Sequence, residues 1–299
     1  MSMGGEQTLS KTQIWVAAIR PATLWAGAVP VFVGAALAAA AGYGPGRGSM
    51  MALVGALLIQ IGTNLVNDYA DFKTGADGPD RLGPKRATSE GWLKPKDVLG
   101  AAMLTLLCAG AVGIYLSTIG GIPILILGLV SIVCAIAYTA GPFPLAYVGL
   151  GDVFVLAFFG VAAVTGTFYL EAGFFNLGSI VAGLIIGALA TMILVVNNLR
   201  DRVGDTRVGK RTLAVRFGPR FTRIQYLLLC VSAYGLTIYG AQTGLFSHWT
   251  YLVGLTIPFA VSECRAVHAK DGRDLNPHLA GAAKLELAFG FLFCLGVCL

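Results

Sequence analysis

The chain has 299 residues, of which 56% are hydrophobic and only 12% are charged, with 40 glycines and a formal net charge of +6. A soluble globular protein carries roughly twice that charged fraction, so the length is read as one polytopic membrane domain over 1–299 rather than two soluble domains. The basic excess suits anionic lipid heads and anionic small molecules, and nucleic acid is a poor fit because the Lys and Arg residues lie in short loops between apolar runs.

Residues 1–12 read as a flexible cytoplasmic amino terminus. They do not open a cleaved signal, because the first apolar run, 14–40, is too long and carries Arg20-Pro21 near its start. Further runs follow at 50–69, 98–118, 121–140, 145–170, 179–197, 222–243, 248–267 and 281–299. They are continuous and longer than the alternating ten-residue strands of a lipid-facing barrel, so helices are expected. The predicted fold class is an all-α integral membrane protein of about nine transmembrane helices, with glycines allowing close packing in lipid. With the amino terminus in the cytoplasm, the loops at 68–97, 198–223 and 265–284 face the cytoplasm and hold six, eight and four of the 21 Lys and Arg residues. Only Arg47 falls outside, a strong positive-inside pattern.

Six cysteines (Cys108, Cys134, Cys230, Cys264, Cys294, Cys298) sit in or at the ends of spans with no C-x-x-C pair, and read as structural filler. His248, His268 and His278 are dispersed and form no metal or nucleophile signature.

The informative residues lie where the second and sixth runs end. "NLVNDYAD" closes one and "NNLRDRVGD" closes the other, 133 residues on from Asp68 to Asp201, an echo consistent with two similar halves. Asp68 and Asp71 are spaced i, i+3 with Asn64 one turn before Asp68, and Asp201 and Asp205 are spaced i, i+4 beside Asn197 and Asn198. Like charges so placed repel, more so in water-poor surroundings, and call for a cation between them. Carboxylates and amide oxygens without Cys or His suit a hard ion such as Mg²⁺, which usually binds a few carboxylates together with substrate phosphates. The phosphates need cationic partners, and Lys73, Arg81, Lys85 and Arg86 follow the first cluster while Arg200, Arg202, Arg207, Lys210 and Arg211 surround the second. The residues therefore point to a Mg²⁺-held diphosphate head at the cytoplasmic edge with a lipid tail among apolar helices. If the diphosphate leaves, an allylic cation forms that a π-rich nucleophile can capture. The plain alternative for each aspartate is a solvated loop residue. Arg20 lies deeper than a loop residue, and reads as a functional intramembrane charge or as an interfacial anchor.

"NLVNDYADFKTGADGPDRLGPKR" and "NNLRDRVGDTRVGKRTLAVRFG" resemble the two aspartate-rich motifs of the UbiA-type intramembrane prenyltransferase superfamily. With "YTAGPFPLAYVGLGDVFVLAFFG" and "LNPHLAGAAK", the wording is similar to the branch that prenylates 1,4-dihydroxy-2-naphthoate in menaquinone synthesis, from "IRPATL" to about residue 285. The resemblance implies nine transmembrane helices around a central cavity, capped by cytoplasmic loops, in a bacterial cytoplasmic (inner) membrane. It implies Mg²⁺-dependent transfer from a polyprenyl diphosphate to the naphthoate, with loss of diphosphate and CO₂. Residue by residue, it assigns Asn64, Asp68 and Asp71 to the first Mg²⁺–diphosphate motif, with Asp77 at its extended end, and Asp201 and Asp205 to the second. Lys210 and Arg81 fall where diphosphate partners are expected, and Asn67 and Asn198 join the substrate-binding set. Tyr138 falls near the reacting allylic group, and Arg20 is suggested for the acceptor carboxylate. The alternatives are a sister enzyme acting on 4-hydroxybenzoate, homogentisate or a tetrapyrrole, and a membrane transporter. Against transport stands the position of the aspartates at one membrane face rather than the midplane.

Overall fold

The computed structural model describes residues 10–76 and 81–299, and among these it is all-helical. Seven helices are long and apolar enough to cross a membrane, which makes this an integral membrane protein. A short first helix, α1 (Lys11–Ile19), is capped by Ser10 and Gln13 in a reciprocal capping box. It stops at Arg20, the only non-glycine among the described residues with a positive φ, at 58°. Pro21 has no N–H and disfavours helical backbone in the residue before it, so the predicted first run 14–40 breaks here. The membrane helix α2 (Pro21–Ala40) starts afresh after the break.

The next helix, α3 (Arg47–Thr74), ends on Gly75 in a left-handed cap and carries the first aspartate motif in its last two turns. After the first long loop comes α4 (Pro95–Ala137), 43 residues interrupted at Gly121 by φ 67° and ψ −158°. Only glycine enters that conformation without strain, and Pro123 follows it. The two halves fold back on each other, so that a Cβ on Gly128 would lie 3.9 Å from Gly113 Cα. These halves correspond to the predicted runs 98–118 and 121–140.

Beyond a turn-rich loop, α5 (Gly151–Ala172) contains a π-helical stretch, Leu156–Ala162. Its Gly160 packs so tightly on α6 (Leu177–Arg207) that a Cβ there would come within 2.3 Å of the Gly183 carbonyl oxygen. Helix α6 is the most enclosed span, and it ends in the second aspartate motif. The first turns of α7 (Leu213–Gln242) are broken at Gly218-Pro219. A 3₁₀ segment His248–Thr256 runs into α8 (Ile257–Ala269), and α9 (Asn276–Cys298) closes the chain after a 3₁₀ turn Gly272–Leu275. The main core joins α2, α5, α6, α7 and α9 through residues such as Val33, Phe168, Ile185, Phe289 and Phe293. A second core joins α1, α3 and α4 around Leu65, Val98 and Leu106. The wide exposed apolar faces, Leu107, Ile122 and Leu255 among them, suit lipid contact.

Candidate active site

A cavity of about 200 Å³ lies between α2, α3, α4 and α5, lined almost wholly by apolar side chains, with Tyr138 at one end. The ends of α3 and α6 and the loops after them make a polar mouth beside Tyr138. The charges of Asp71, Asp152 and Asp205 all reach that phenol. Asp205 faces Lys210, Asp201, Asp71 and Arg200, and makes no side-chain hydrogen bond among the described residues. The two aspartate motifs, far apart in sequence, are therefore neighbours in space.

Asp71 is the centre of this mouth. It is 4% exposed, and its two oxygens are held by Arg86 Nη2 at 2.9 Å and Lys210 Nζ at 3.0 Å. These bonds tie the loop after α3 and the loop after α6 to one carboxylate. Lys210 also lies over the Tyr147 ring, 5.0 Å from its centroid. Burial works against the Lys210 ammonium, but the carboxylates of Asp71 and Asp205 outweigh it and hold its pKa above the ordinary lysine value. Arg81 is half-buried and donates from Nε to the Pro84 carbonyl at 2.9 Å. Desolvation lowers its pKa, with Asp201 and Asp71 opposing.

The second motif is braced from within. Arg200, 2% exposed, donates to both oxygens of Asp201 at 2.8 and 2.6 Å. It also reaches Asn197 Oδ1 at 2.8 Å and Asn276 Oδ1 at 3.0 Å. Asn276 in turn donates to the Leu82 carbonyl at 2.9 Å, so the start of α9 fastens the loop after α3 to α6. Asn198, 8% exposed, lines a small polar recess with Tyr138, Asp152 and Thr212. Gln225 donates to Asp152 there at 3.0 Å.

Two of the expected first-motif residues point elsewhere. Asp68 is 1% exposed and both of its oxygens are taken by the loop: Ala87 N–H at 3.2 Å on one, Thr88 N–H at 3.3 Å and the Thr88 hydroxyl on the other. Asn64 donates to the Ile19 carbonyl at 2.8 Å and the Thr23 hydroxyl at 2.9 Å, clasping the break at Arg20. In this structure the loop therefore occupies Asp68, while Asp71, Asp201 and Asp205, the carboxylates expected to share a metal with it, lie within reach of one another's charge. Among the described residues no three of Asp, Glu, His and Cys stand close enough to hold one metal ion without further ligands. Each residue of helix turns by 100°, so a spacing of three leaves Asp68 about 60° from Asp71. Asn67, four residues before Asp71, shares its direction, and Asn67 Oδ1 accepts from the Thr139 hydroxyl at 2.6 Å. Asp77 lies outside the described residues. Arg20 is half-buried with no side-chain hydrogen bond among the described residues, and its charge faces Arg81, Asp68, Asp71 and Arg200.

The mouth thus offers oxygen donors only, carboxylates and amide carbonyls, interleaved with five basic side chains, above an apolar cavity. That donor chemistry fits a hard divalent ion bound together with an anionic phosphate group. Thr88, Thr139, Asp152 and Asn276 were not singled out by sequence reasoning. Thr139, Asp152 and Asn276 fall within the two stretches quoted above for their wording, and that was the one signal available for them.

The model of the UbiA prenyltransferase family matches residues 27–288. The chain belongs to this family. A 1,4-dihydroxy-2-naphthoate octaprenyltransferase of Escherichia coli K12 is 37% identical over 98% of this chain and 97% of its own length. An enzyme of the same name from Mycobacterium tuberculosis is 35% identical over 93% of this chain and 98% of its own. UbiA prenyltransferase domain-containing protein 1 of Gallus gallus is 31% identical over 97% and 86%. Among solved structures, the apo UbiA homologue of Aeropyrum pernix K1 superposes with a TM-score of 0.71 at 14% identity, covering 93% of this chain and 98% of that one. The Archaeoglobus fulgidus homologue bound to DMAPP and Mg²⁺ gives 0.66 at 14% identity, over 93% and 98%. These last two show that the fold of this family member is the UbiA fold.

Proposed function

We propose that this chain transfers a polyprenyl group from polyprenyl diphosphate to 1,4-dihydroxy-2-naphthoate. The observation that carries the reading is the apolar cavity opening at Tyr138 onto a mouth where Asp71, Asp201 and Asp205 meet Lys210, Arg81 and Arg20. The acceptor is assigned from the bacterial relatives, whose shared name specifies the dihydroxynaphthoate.

In this reading the prenyl tail lies in the cavity and leaves through its open side toward lipid, while the diphosphate sits in the mouth. Asp71 on one side and the Asp201–Asp205 pair on the other would hold Mg²⁺ with diphosphate oxygens completing each ligand set, and the metal would supply neutralisation of charge on those oxygens. Lys210, Arg86 and Arg81 turn from the carboxylates to the diphosphate and stabilise it as it leaves. Asp77 extends the first motif, and Asn67 and Asn198 line the donor's polar end. Tyr138 lies against the allylic carbon, where its ring shields the developing cation from water. Arg20 pairs with the acceptor carboxylate, whose two oxygens match the guanidinium fork. Asp68 and Asn64 are positioning residues, one for the loop over the mouth and one for the Arg20 turn. Overall, the prenyl C–O bond breaks and a ring C–C bond forms. The carboxylate departs as CO₂, its bonding pair staying with the ring, so no net proton is consumed. The product is demethylmenaquinol.

Counting the folded-back α4 as two passes, and the His248–Ala269 segment as one, gives the nine spans expected from sequence. The positive-inside pattern then puts the mouth on the cytoplasmic face of the bacterial inner membrane. The deciding experiment gives membranes containing this chain Mg²⁺, 1,4-dihydroxy-2-naphthoate and a ladder of prenyl diphosphates. Release of ¹⁴CO₂ from carboxyl-labelled acceptor, with a prenylated quinol formed, supports the reading. Turnover of 4-hydroxybenzoate or homogentisate in preference would reassign the acceptor.

A further inference from the structure

The cavity wall carries one polar side chain that the reading above leaves unused. Gln60 of α3 is 8% exposed and lines the apolar cavity. Its Oε1 is buried without a partner, and the amide makes no side-chain hydrogen bond among the described residues. Three of its polar neighbours on the wall are satisfied locally. Thr63 donates to the Ile59 carbonyl at 2.7 Å, Ser131 to Leu127 at 2.7 Å and Thr167 to Ala163 at 2.8 Å. A buried amide with nothing to bond costs about 1–3 kcal/mol, and a leucine or methionine would fill the same volume without that cost. The prenyl tail cannot relieve it, since a hydrocarbon neither donates nor accepts.

Placement narrows what could. At 100° per residue, Gln60, Asn67 and Asp71 project from α3 within about 20° of one direction, so Gln60 lies on the side of the helix that faces the mouth. Gln60 Cβ lies 3.7 Å from where a Cβ on Gly27 would be, which is direct contact, so at Gln60 α3 packs beside the seventh residue of α2. Arg20 immediately precedes that helix, which sets Arg20 and Gln60 roughly 10 Å apart along the axis. A small aromatic acid with its carboxylate on Arg20 and a ring hydroxyl meta to that carboxylate spans a gap of that order with a hydrogen bond of about 2.9 Å at each end. The Gln60 amide can turn either its oxygen or its nitrogen to the cavity, and a hydroxyl can answer either.

We propose that Gln60 is a specificity-determining residue that recognises the distal hydroxyl, the one at ring position 4, of the bound naphthoate. The inference rests on the acceptor assignment above, and the two are tested separately. Turnover of 1,4-dihydroxy-2-naphthoate by the wild-type chain in nanodiscs comes first. No turnover overturns the acceptor assignment and this subsite with it. Equilibrium binding is then measured with Mg²⁺ and inorganic diphosphate in place of the donor, so that nothing reacts. The ligands are 1,4-dihydroxy-2-naphthoate and 1-hydroxy-2-naphthoate, which lacks the distal hydroxyl. The wild-type chain is expected to prefer the dihydroxy acid by roughly ten- to a hundred-fold. Gln60→Met, close in volume and unbranched, is expected to lose that preference by weakening the dihydroxy acid alone, with diphosphate affinity unchanged. Gln60→Asn should keep part of it. Equal affinity of the two acids for the wild-type chain overturns the proposal without any variant, and so does an undiminished preference in Gln60→Met.

Discussion

Asp68→Asn distinguishes a metal-binding carboxylate from one that holds a loop. In the structure three donors converge on Asp68: the Ala87 N–H, the Thr88 N–H and the Thr88 hydroxyl. An asparagine keeps one oxygen. Its best orientation leaves that oxygen to Thr88 and sets an NH₂ against the Ala87 N–H, two donors face to face. One charge-assisted bond is lost, a buried donor is left unpaired and the remaining bonds become neutral, at a cost of about 2–4 kcal/mol. The loop stays tethered elsewhere through Arg86 to Asp71 and through Leu82 to Asn276, so the chain should still insert and fold. We expect kcat/KM to fall about ten- to a hundred-fold, because a loosened loop presents Arg86 and Arg81 to the diphosphate less often. The Mg²⁺ concentration for half-maximal activity should move less than about three-fold, because Asp68 contributes no ligand. Hydrogen exchange at 85–90 should rise. Thr88→Val removes the hydroxyl from the same cluster and should reproduce part of the loss, with the double variant less than additive. Asp71→Asn serves as the contrast, with turnover down at least a thousand-fold, or about 4 kcal/mol, and Mg²⁺ dependence altered. If Asp68→Asn instead raises the Mg²⁺ requirement tenfold or more while Thr88→Val is silent, Asp68 is a ligand and the loop-holding argument fails.

Four further outcomes follow from the same geometry. Asp205→Asn should abolish turnover, at a loss of several kcal/mol of transition-state stabilisation, while the protein still inserts; near-normal rates would remove it from the metal site. Arg20→Ala should raise acceptor KM and lower kcat/KM roughly thirty- to a thousand-fold with donor KM little changed, as read from paired saturation curves; a rise confined to donor KM would assign Arg20 to the diphosphate. Lys210 has its folded-state pKa held above the ordinary value, so its contribution is fully present below the ordinary lysine pKa and is lost only as pH rises through the higher folded value. Activity between pH 7 and 9 should therefore show no alkaline limb from Lys210, and an alkaline loss there that disappears in Lys210→Arg would contradict this. In a cysteine-free background, a cysteine in place of exposed Lys96 should react with an impermeant thiol reagent only in inside-out vesicles, and labelling from the opposite side would reverse the topology.

Charge was the most legible feature of this sequence. Ionised side chains are costly in lipid, so the concentration of Lys and Arg in three loops revealed the spans and the polar ends of α3 and α6. The same logic brought Asp71, Asp201, Asp205, Lys210, Arg81 and Arg20 into one candidate site, and the structure sets their charges within reach of one another. Direction around a helix was harder to read. The spacing of Asp68 and Asp71 was taken as a shared face, yet a 60° offset in the last turns of α3 is enough to turn one carboxylate under the loop and the other into the mouth. Helix ends are where that offset matters, because a loop is present to receive whichever side chain faces it. Asn64 shows the same effect toward α1, where it meets the backbone freed by the Arg20-Pro21 break. The run 14–40 was apolar throughout and gave no sign of that break beyond the dipeptide itself. Thr88 carries no charge and lies outside every stretch quoted for its wording, and Asn276, at the start of α9, is marked only by the stretch that contains it. Their value comes from contacts made across the fold, with Asp68 and with Arg200 and Leu82. Gln60 is the intermediate case. A polar residue within an apolar run is visible in sequence, but its function depends on the absence of a partner, and that can be judged only when Thr63, Ser131 and Thr167 on the cavity wall are seen bonded to their own helices.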